Sequence, residues 1–236
     1  MKDDLHIIIH ELRDALASPN CALCVVAQRA VDRYIGSLAH EGFVTNVGER
    51  AAIRDARGFC AVHSRMLSAG RNALGLAIIH HDVLKQLRQD LEAMPAVPQR
   101  RPSLLQRARG QSNRPASLFQ GQQPCTVCVR VQDTSRRYAE ALVIGLSGEL
   151  QDALRHSVGL CVPHLRLTLS LAPAKEALLL REIQLTLWDA LLCELDEFTR
   201  KQDHRFQHEA SGKEADSWRR ALRLVAGEAG TNVELG

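Results

Sequence analysis

The chain has 236 residues, of which 45% are hydrophobic and 4% aromatic, and a formal net charge of +3. Leucine and alanine carry the packing, which favours helices over strands, and no run approaches the roughly 20 apolar residues of a membrane span. The N-terminus opens on Met1-Lys2-Asp3-Asp4, and Leu5–Ile9 is too short an apolar run for a signal peptide. The expected setting is therefore cytoplasmic, where disulfides are disfavoured and cysteine clusters more often hold metal.

In chain order, the first chemical signal is Cys21-x-x-Cys24. Cys24, Ala27, Val31, Tyr34/Ile35 and Leu38 step by three and four, so the motif sits at the start of a helix with its second cysteine on the inward face. Gly58-Phe59-Cys60-Ala61-Val62-His63 follows, and then a longer helix marked by Leu67, Leu74, Ile78, His81, Leu84, Leu87 and Leu91.

Residues 95–124 change character. They hold five of the eight prolines, six glutamines, no acid and five arginines: Arg100, Arg101, Arg107, Arg109 and Arg114. This reads as a basic disordered linker, a solvated spacer whose arginines offer a route to nucleic acid.

The pattern then recurs. Cys125-x-x-Cys128 opens a helix stepping through Val131, Ser135, Tyr138 and Leu142, and Gly159-Leu160-Cys161-Val162-Pro163-His164 follows. A shift of 104 positions superposes Cys21 on Cys125, Cys24 on Cys128, Gln28 on Gln132, Tyr34 on Tyr138 and Leu38 on Leu142. A shift of 101 superposes Arg54 on Arg155, Gly58 on Gly159 and both Cys-x-x-His pairs. Six of the seven cysteines thus form two matched sets, and the chain reads as two tandem copies of one unit. Taken copy by copy, Cys21, Cys24, Cys60 and His63 form one tetrahedral site, and Cys125, Cys128, Cys161 and His164 the other. On that grouping each metal clamps two helix starts about 40 residues apart. Arg54 and Arg155, six residues before the third cysteine of each copy, are candidates to screen the net negative charge of a Cys₃His zinc site.

After a short apolar run a long helix follows Pro173, marked by Leu180, Ile183, Leu187, Trp188, Leu191, Leu195 and Phe198. Cys193, the unpaired cysteine, reads as a small buried hydrophobe on it. A last helix spans Glu214 to Val225; Trp218, Leu222 and Val225 share the face expected to pack on the second unit, and residues from Gly227 read as frayed.

The predicted fold class is all-α: two tandem metal-centred helical repeats joined by a Pro/Gln/Arg-rich linker, with a C-terminal helix. The divisions are 1–94, 95–124, 125–200 and 201–236. Several chemistries are disfavoured. His6, His10 and Glu11 lack the HExxH order, neither CxxC is followed by the histidine of haem attachment, and no phosphate loop or nucleophile elbow appears. His80, His81, His204 and His208 read as surface or helix-face residues.

The paired CxxC…GxCxxH sets, the Arg-Tyr pairs, Lys201-x-Asp203-x-Arg205-Phe206 and Ser217-Trp218-Arg219-Arg220-Ala221-Leu222 together resemble an uncharacterised bacterial protein family of unknown function. The resemblance implies a helical, metal-binding, cytoplasmic protein with no assigned activity. Members often have tyrosine where His204 stands.

The function these residues favour is a zinc-binding interaction or regulatory module and not an enzyme. It would hold two structural Zn²⁺ and act on a protein partner, with no membrane role. The alternatives are an iron–sulfur or thiol-based redox protein and a nucleic-acid binder acting through the linker arginines.

Overall fold

The computed structural model describes residues 2–38, 46–70, 72–93 and 123–231; the five linker arginines lie outside them. Among the described residues the chain forms ten α-helices and no strand. They are α1 (Lys2–Leu16), α2 (Ala22–Ser37), α3 (Val47–Asp55), α4 (Ala61–Ser68), α5 (Ala73–Glu92), α6 (Thr126–Gly145), α7 (Glu149–Arg155), α8 (Val162–Leu171), α9 (Ala174–Lys201) and α10 (Ser217–Ala226), with a 3₁₀ turn at Lys213–Asp216. No described helix is long and apolar enough to cross a membrane.

The chain divides into two compact units that do not follow the order of the two copies. One comprises residues 1–32 and 130–236, the other 33–129. The divisions fall inside α2 and α6, the two helices that open with CxxC.

The core of the first unit is built largely of leucine. Leu12, Leu23, Leu142, Leu146, Leu150, Leu154, Leu160 and Leu180 are fully buried, as expected where few rings are available to fill volume. The repeated Tyr138 is buried there and gives its hydroxyl hydrogen to the Glu11 carboxylate on α1. Burial first, and then the hydrogen bond to Glu11, push the Tyr138 phenol up.

In the second unit Leu38, Ile53, Leu67, Ile79 and Val83 are buried, and the repeated Tyr34 donates to Glu49 Oε2 at 2.7 Å. The segment after His63 is two helices, α4 and α5, and not one. Asn72 caps the second by accepting from the Gly75 N–H at 2.8 Å. Its inward stripe runs through Gly75, Ile79 and Val83, whereas Leu74, Leu84 and Leu91 are exposed and His81 faces solvent. Charge explains the shift: Asp82 and Asp90 on this helix pair with Arg50 at 2.5 Å and Arg57 at 2.8 Å, tying α5 to α3 and the turn after it.

The long helix α9 buries Leu180, Ile183 and Gln184 and half-buries Leu187, Trp188, Leu191 and Leu195. Cys193 is exposed, which overturns its reading as a core residue: it falls between the turns of that stripe, beside outward Leu192. The C-terminal helix α10 packs on α9 and α8 through buried Ser217 and half-buried Arg220, Ala221 and Leu224. The Trp218, Leu222 and Val225 face expected to pack is instead exposed. Just beyond Gly227 the tail stays ordered, with Thr231 buried and its hydroxyl donating to the Glu228 carbonyl at 2.9 Å.

Ion pairs fasten the tail to α9. Lys201 meets Glu214 at 2.7 Å, and Arg220 meets Glu194. Arg205 holds Asp203 at 2.7 Å, and the Arg200 guanidinium lies 4.5 Å from the Phe206 ring centre. The Lys201–Phe206 and Ser217–Leu222 motifs thus serve as clips.

Candidate metal centres

Each cysteine motif sits on a helix start. The Cys21 and Cys125 carbonyls accept the first intrahelical bonds of α2 and α6 from Val25 at 3.0 Å and Val129 at 3.1 Å. The Cys60 and Cys161 carbonyls do the same for α4 and α8, from Ser64 at 2.9 Å and Leu165 at 2.7 Å. Both of the latter cysteines are extended N-cap residues, at φ −65°, ψ 163° and φ −66°, ψ 156°. The second donor of each pair follows three residues later, on the same face of the first turn. Every half-site therefore presents two donors beside unpaired backbone N–H groups and the positive end of a helix dipole, which favours thiolate.

The turns before the third cysteines also match. Gly58 and Gly159 have φ of +97° and +79°, a region that side chains with a Cβ rarely adopt. At Gly159 space is short as well: a Cβ would lie 2.8 Å from Gln184 Nε2 and 3.0 Å from Leu187 Cδ1. Before Gly58, α3 ends in a Schellman turn, with Gly58 N–H donating to Ile53 O and Arg57 N–H to Arg54 O. The left-handed position in that turn is taken by Arg57, at φ 58°.

All eight donors come together in two groups, but not copy by copy. Cys21 and Cys24 meet Cys161 and His164; Cys60 and His63 meet Cys125 and Cys128. Each CxxC is completed by the Cys-x-x-His of the other copy, which corrects the grouping drawn from sequence spacing. The first group lies entirely in the first unit and the second in the second. Spacing misleads here because either combination of half-sites supplies three sulfurs and one imidazole. The grouping observed is the one built into the leucine core of the first unit, where Cys21, Cys24 and Cys161 are buried together. The donors joined are 137 to 143 residues apart in the first group and 62 to 68 in the second, apart from the adjacent i, i+3 pairs.

The two groups are nearly superposable in their distances. In the first, His164 Nδ1 lies 3.7 Å from Cys21 Sγ, 3.4 Å from Cys24 Sγ and 3.2 Å from Cys161 Sγ, with Cys24 and Cys161 sulfurs 3.6 Å apart. In the second, His63 Nδ1 lies 3.7 Å from Cys125 Sγ, 3.4 Å from Cys128 Sγ and 3.1 Å from Cys60 Sγ, with Cys128 and Cys60 sulfurs 3.7 Å apart. In a zinc tetrahedron with Zn–S about 2.3 Å and Zn–N about 2.0–2.1 Å, the S···S edge is about 3.8 Å and the S···N edge about 3.5 Å. Both groups therefore fit a single tetrahedral cation and could hold one each.

Their surroundings differ. Cys21, Cys24, Cys161 and His164 are all buried, whereas Cys60 and Cys128 are half-buried. In the first group Ser135 Oγ, fully buried, lies 3.2 Å from His164 Nε2. That contact fixes the ring with Nδ1 toward the sulfurs, the outer-shell support typical of a ligating imidazole. Buried Gln184 accepts from the Leu160 N–H at 3.0 Å and holds the loop that carries Cys161. Sequence reasoning treated Ser135 as a step of its helix and passed over Gln184; the available signal was a polar residue inside an apolar stripe. Arg155 does not serve the centre: its guanidinium meets Glu182 at 3.4 Å. Nor do His10, paired with Asp14 at 3.4 Å, or His80, whose Nδ1 lies 2.8 Å from the Leu76 carbonyl.

The electrostatics suit a cation. Hydrogen bonding from Cys161, then from Cys21, pulls the Cys24 thiol far down, while hydrogen bonds to Cys21 and Cys24 push Cys161 far up. Burial opposes charge on His164, yet hydrogen bonds to Cys21 and Cys24 lift it to about 9. In the second group the Cys128 hydrogen bond lowers Cys125 to about 3, and Cys125 in turn raises Cys128. Three sulfurs this close cannot all ionise together, and a dication among them removes the conflict.

Comparison with curated proteins and with solved structures finds no match. The model of one family, described as a family of unknown function, matches residues 1–232. The chain belongs to that family, DUF6062.

Proposed function

We propose that this protein is a zinc-stabilised helical module that works by presenting its surface to a protein partner, with one structural Zn²⁺ in each unit. Cys21, Cys24, Cys161 and His164 would hold one ion; Cys60, His63, Cys125 and Cys128 the other. The observation that carries the reading is the pair of matched donor sets, each with edges of 3.1 to 3.7 Å. Four protein donors complete a tetrahedral ion and leave no position for a reacting water, which distinguishes a structural centre from a catalytic one.

A binuclear iron–sulfur cluster spreads its four ligands over two irons bridged by sulfide, so donors on opposite irons stand further apart than one tetrahedron edge. All four donor atoms of each group lie within 4.8 Å of one another, which favours a single ion. Structural zinc contributes on the order of 10–16 kcal/mol of apparent binding free energy, as large as the whole stability of a small domain. In this role the ions fasten helix starts that the chain itself leaves far apart in sequence.

Elemental analysis of protein purified without oxygen tests the reading. Two zinc ions per chain and a colourless solution support it. Iron with acid-labile sulfide, or fewer than one metal per chain, overturns it.

A further inference from the structure

The first unit contains a cleft of about 200 Å³ beside its donor group. At the roughly 30 Å³ that a liquid water occupies, this is room for about seven waters, the scale of a small metabolite. Its walls combine the CxxC turn, the Ser157–Cys161 loop, α9 and α10. Leu187 and Leu191 supply apolar surface, while Cys21, Cys24 and Cys161 line the side next to the donor group.

Four polar side-chain groups in this lining have no partner among the described residues. Trp188 Nε1–H and Asn20 Oδ1 are buried without a hydrogen bond. Buried donors and acceptors are almost always satisfied, so two orphans in one cleft call for an occupant. Arg223 and Glu228 also line it and have no ion-pair partner among the described residues, unlike the neighbouring Arg220 and Glu194, which hold each other. Asn20 and Glu228 also line the adjoining cavity, with Val25, Gln28 and Arg29, where Trp188 and Arg223 do not appear.

We infer that this cleft is a binding site for a small zwitterion with an apolar body, the chemistry of a free amino acid. Asn20 Oδ1 and the Glu228 carboxylate receive the ammonium. Trp188 Nε1–H and the Arg223 guanidinium receive the carboxylate, and Leu187 and Leu191 cover the apolar side chain. The complementarity is one donor pair and one acceptor pair over an apolar wall, the arrangement that fixes orientation in small-molecule sites. The site depends on these side chains and not on the identity of any metal, so it stands or falls separately from the zinc reading.

The test uses the full chain with Trp218→Phe, which leaves Trp188 as the only indole and changes an exposed residue. L-Leucine, L-methionine and L-phenylalanine are titrated against its fluorescence, beside 3-methylbutylamine and 4-methylpentanoate, which each keep one charge of leucine. Calorimetry on the unaltered protein repeats the measurement should the variant lose its fold. The expected result is saturable binding of at least one amino acid, weakened about tenfold or more for both single-charge analogues. Arg223→Met and Glu228→Gln, checked for unchanged helicity, should each weaken it to a similar degree. No saturable binding by any amino acid up to about 10 mM overturns the inference. Equal binding of the amine or the acid analogue, or indifference to both substitutions, overturns it as well.

Discussion

Replacing single cysteines with serine, alone and in pairs, tests the exchange of half-sites directly. Cys24→Ser removes a donor that is 1% exposed and should abolish the first centre, taking zinc from two ions per chain to one. Adding Cys161→Ser removes a second donor of the same group, so the double variant should still hold one ion. Adding Cys60→Ser instead strikes the other group, so that double variant should hold none. Loss of a centre forfeits binding free energy on the order of 10 kcal/mol, enough to unfold the unit that depends on it. The span of the cross-link adds to this. Closing the 143 residues between Cys21 and His164, and not the roughly 40 of a within-copy site, constrains the unfolded chain by about 1 kcal/mol more. The assay is zinc per chain by elemental analysis after gel filtration in a competing chelator, with helicity followed by circular dichroism. One zinc in Cys24→Ser/Cys60→Ser together with none in Cys24→Ser/Cys161→Ser would refute the exchange and restore the copy-by-copy grouping.

Other expectations follow from the surroundings of the centres. Ser135→Ala leaves a buried imidazole nitrogen without its partner; it should cost about 1–3 kcal/mol and lower zinc affinity at the first centre about 10–100-fold, read by competition with a chromophoric chelator, while the second centre keeps its affinity. Gly58→Ala should cost only the conformational penalty of a positive φ, about 1–2 kcal/mol, because the nearest obstacle to a Cβ is Val83 Cγ1 at 3.8 Å. Gly159→Ala must also displace Gln184 and should be the more destabilising of the two in urea unfolding; equal costs would contradict the packing described at that turn. The half-buried Cys60 and Cys128 should let a chelator reach the second centre first, so metal release should be biphasic, with the slow phase lost in Cys24→Ser. Falling pH should release both ions, because protons compete with the metal for thiolate; release that accelerates as pH rises would carry the opposite sign and refute thiolate ligation.

Much of the site was legible because its signals are local. A cysteine and a second donor three residues on, at a helix start, declare a half-site through geometry internal to one helical turn. Glycine two residues before the third cysteine declares the positive-φ turn that delivers it. The helical class likewise followed from periodicity in α2, α6 and α9. The short helices α3 and α7 were less legible, although Asn46 with Glu49 three residues later is a capping signature, and Asn46 does accept the Glu49 N–H at 3.0 Å. Their few apolar residues give periodicity little to act on: α3 buries only Ile53. The inward face of α5 was misphased because Asp82 and Asp90 on that side face Arg50 and Arg57, and hydrophobic spacing does not register ion pairs. Cys193 was misplaced by its leucine neighbours, since composition around a residue does not say on which side of a helix it stands.

The sequence by itself determined the candidate chemistry of this protein: four candidate half-sites, eight candidate donors and helix starts that favour thiolate. Only the tertiary structure decided which halves meet. Two CxxC and two Cys-x-x-His half-sites satisfy the same valence in either combination, so no local energy distinguishes the pairings. The choice is made by the leucine core that packs α1, α6, α7 and α9 into the unit where Cys21 and Cys24 face Cys161 and His164.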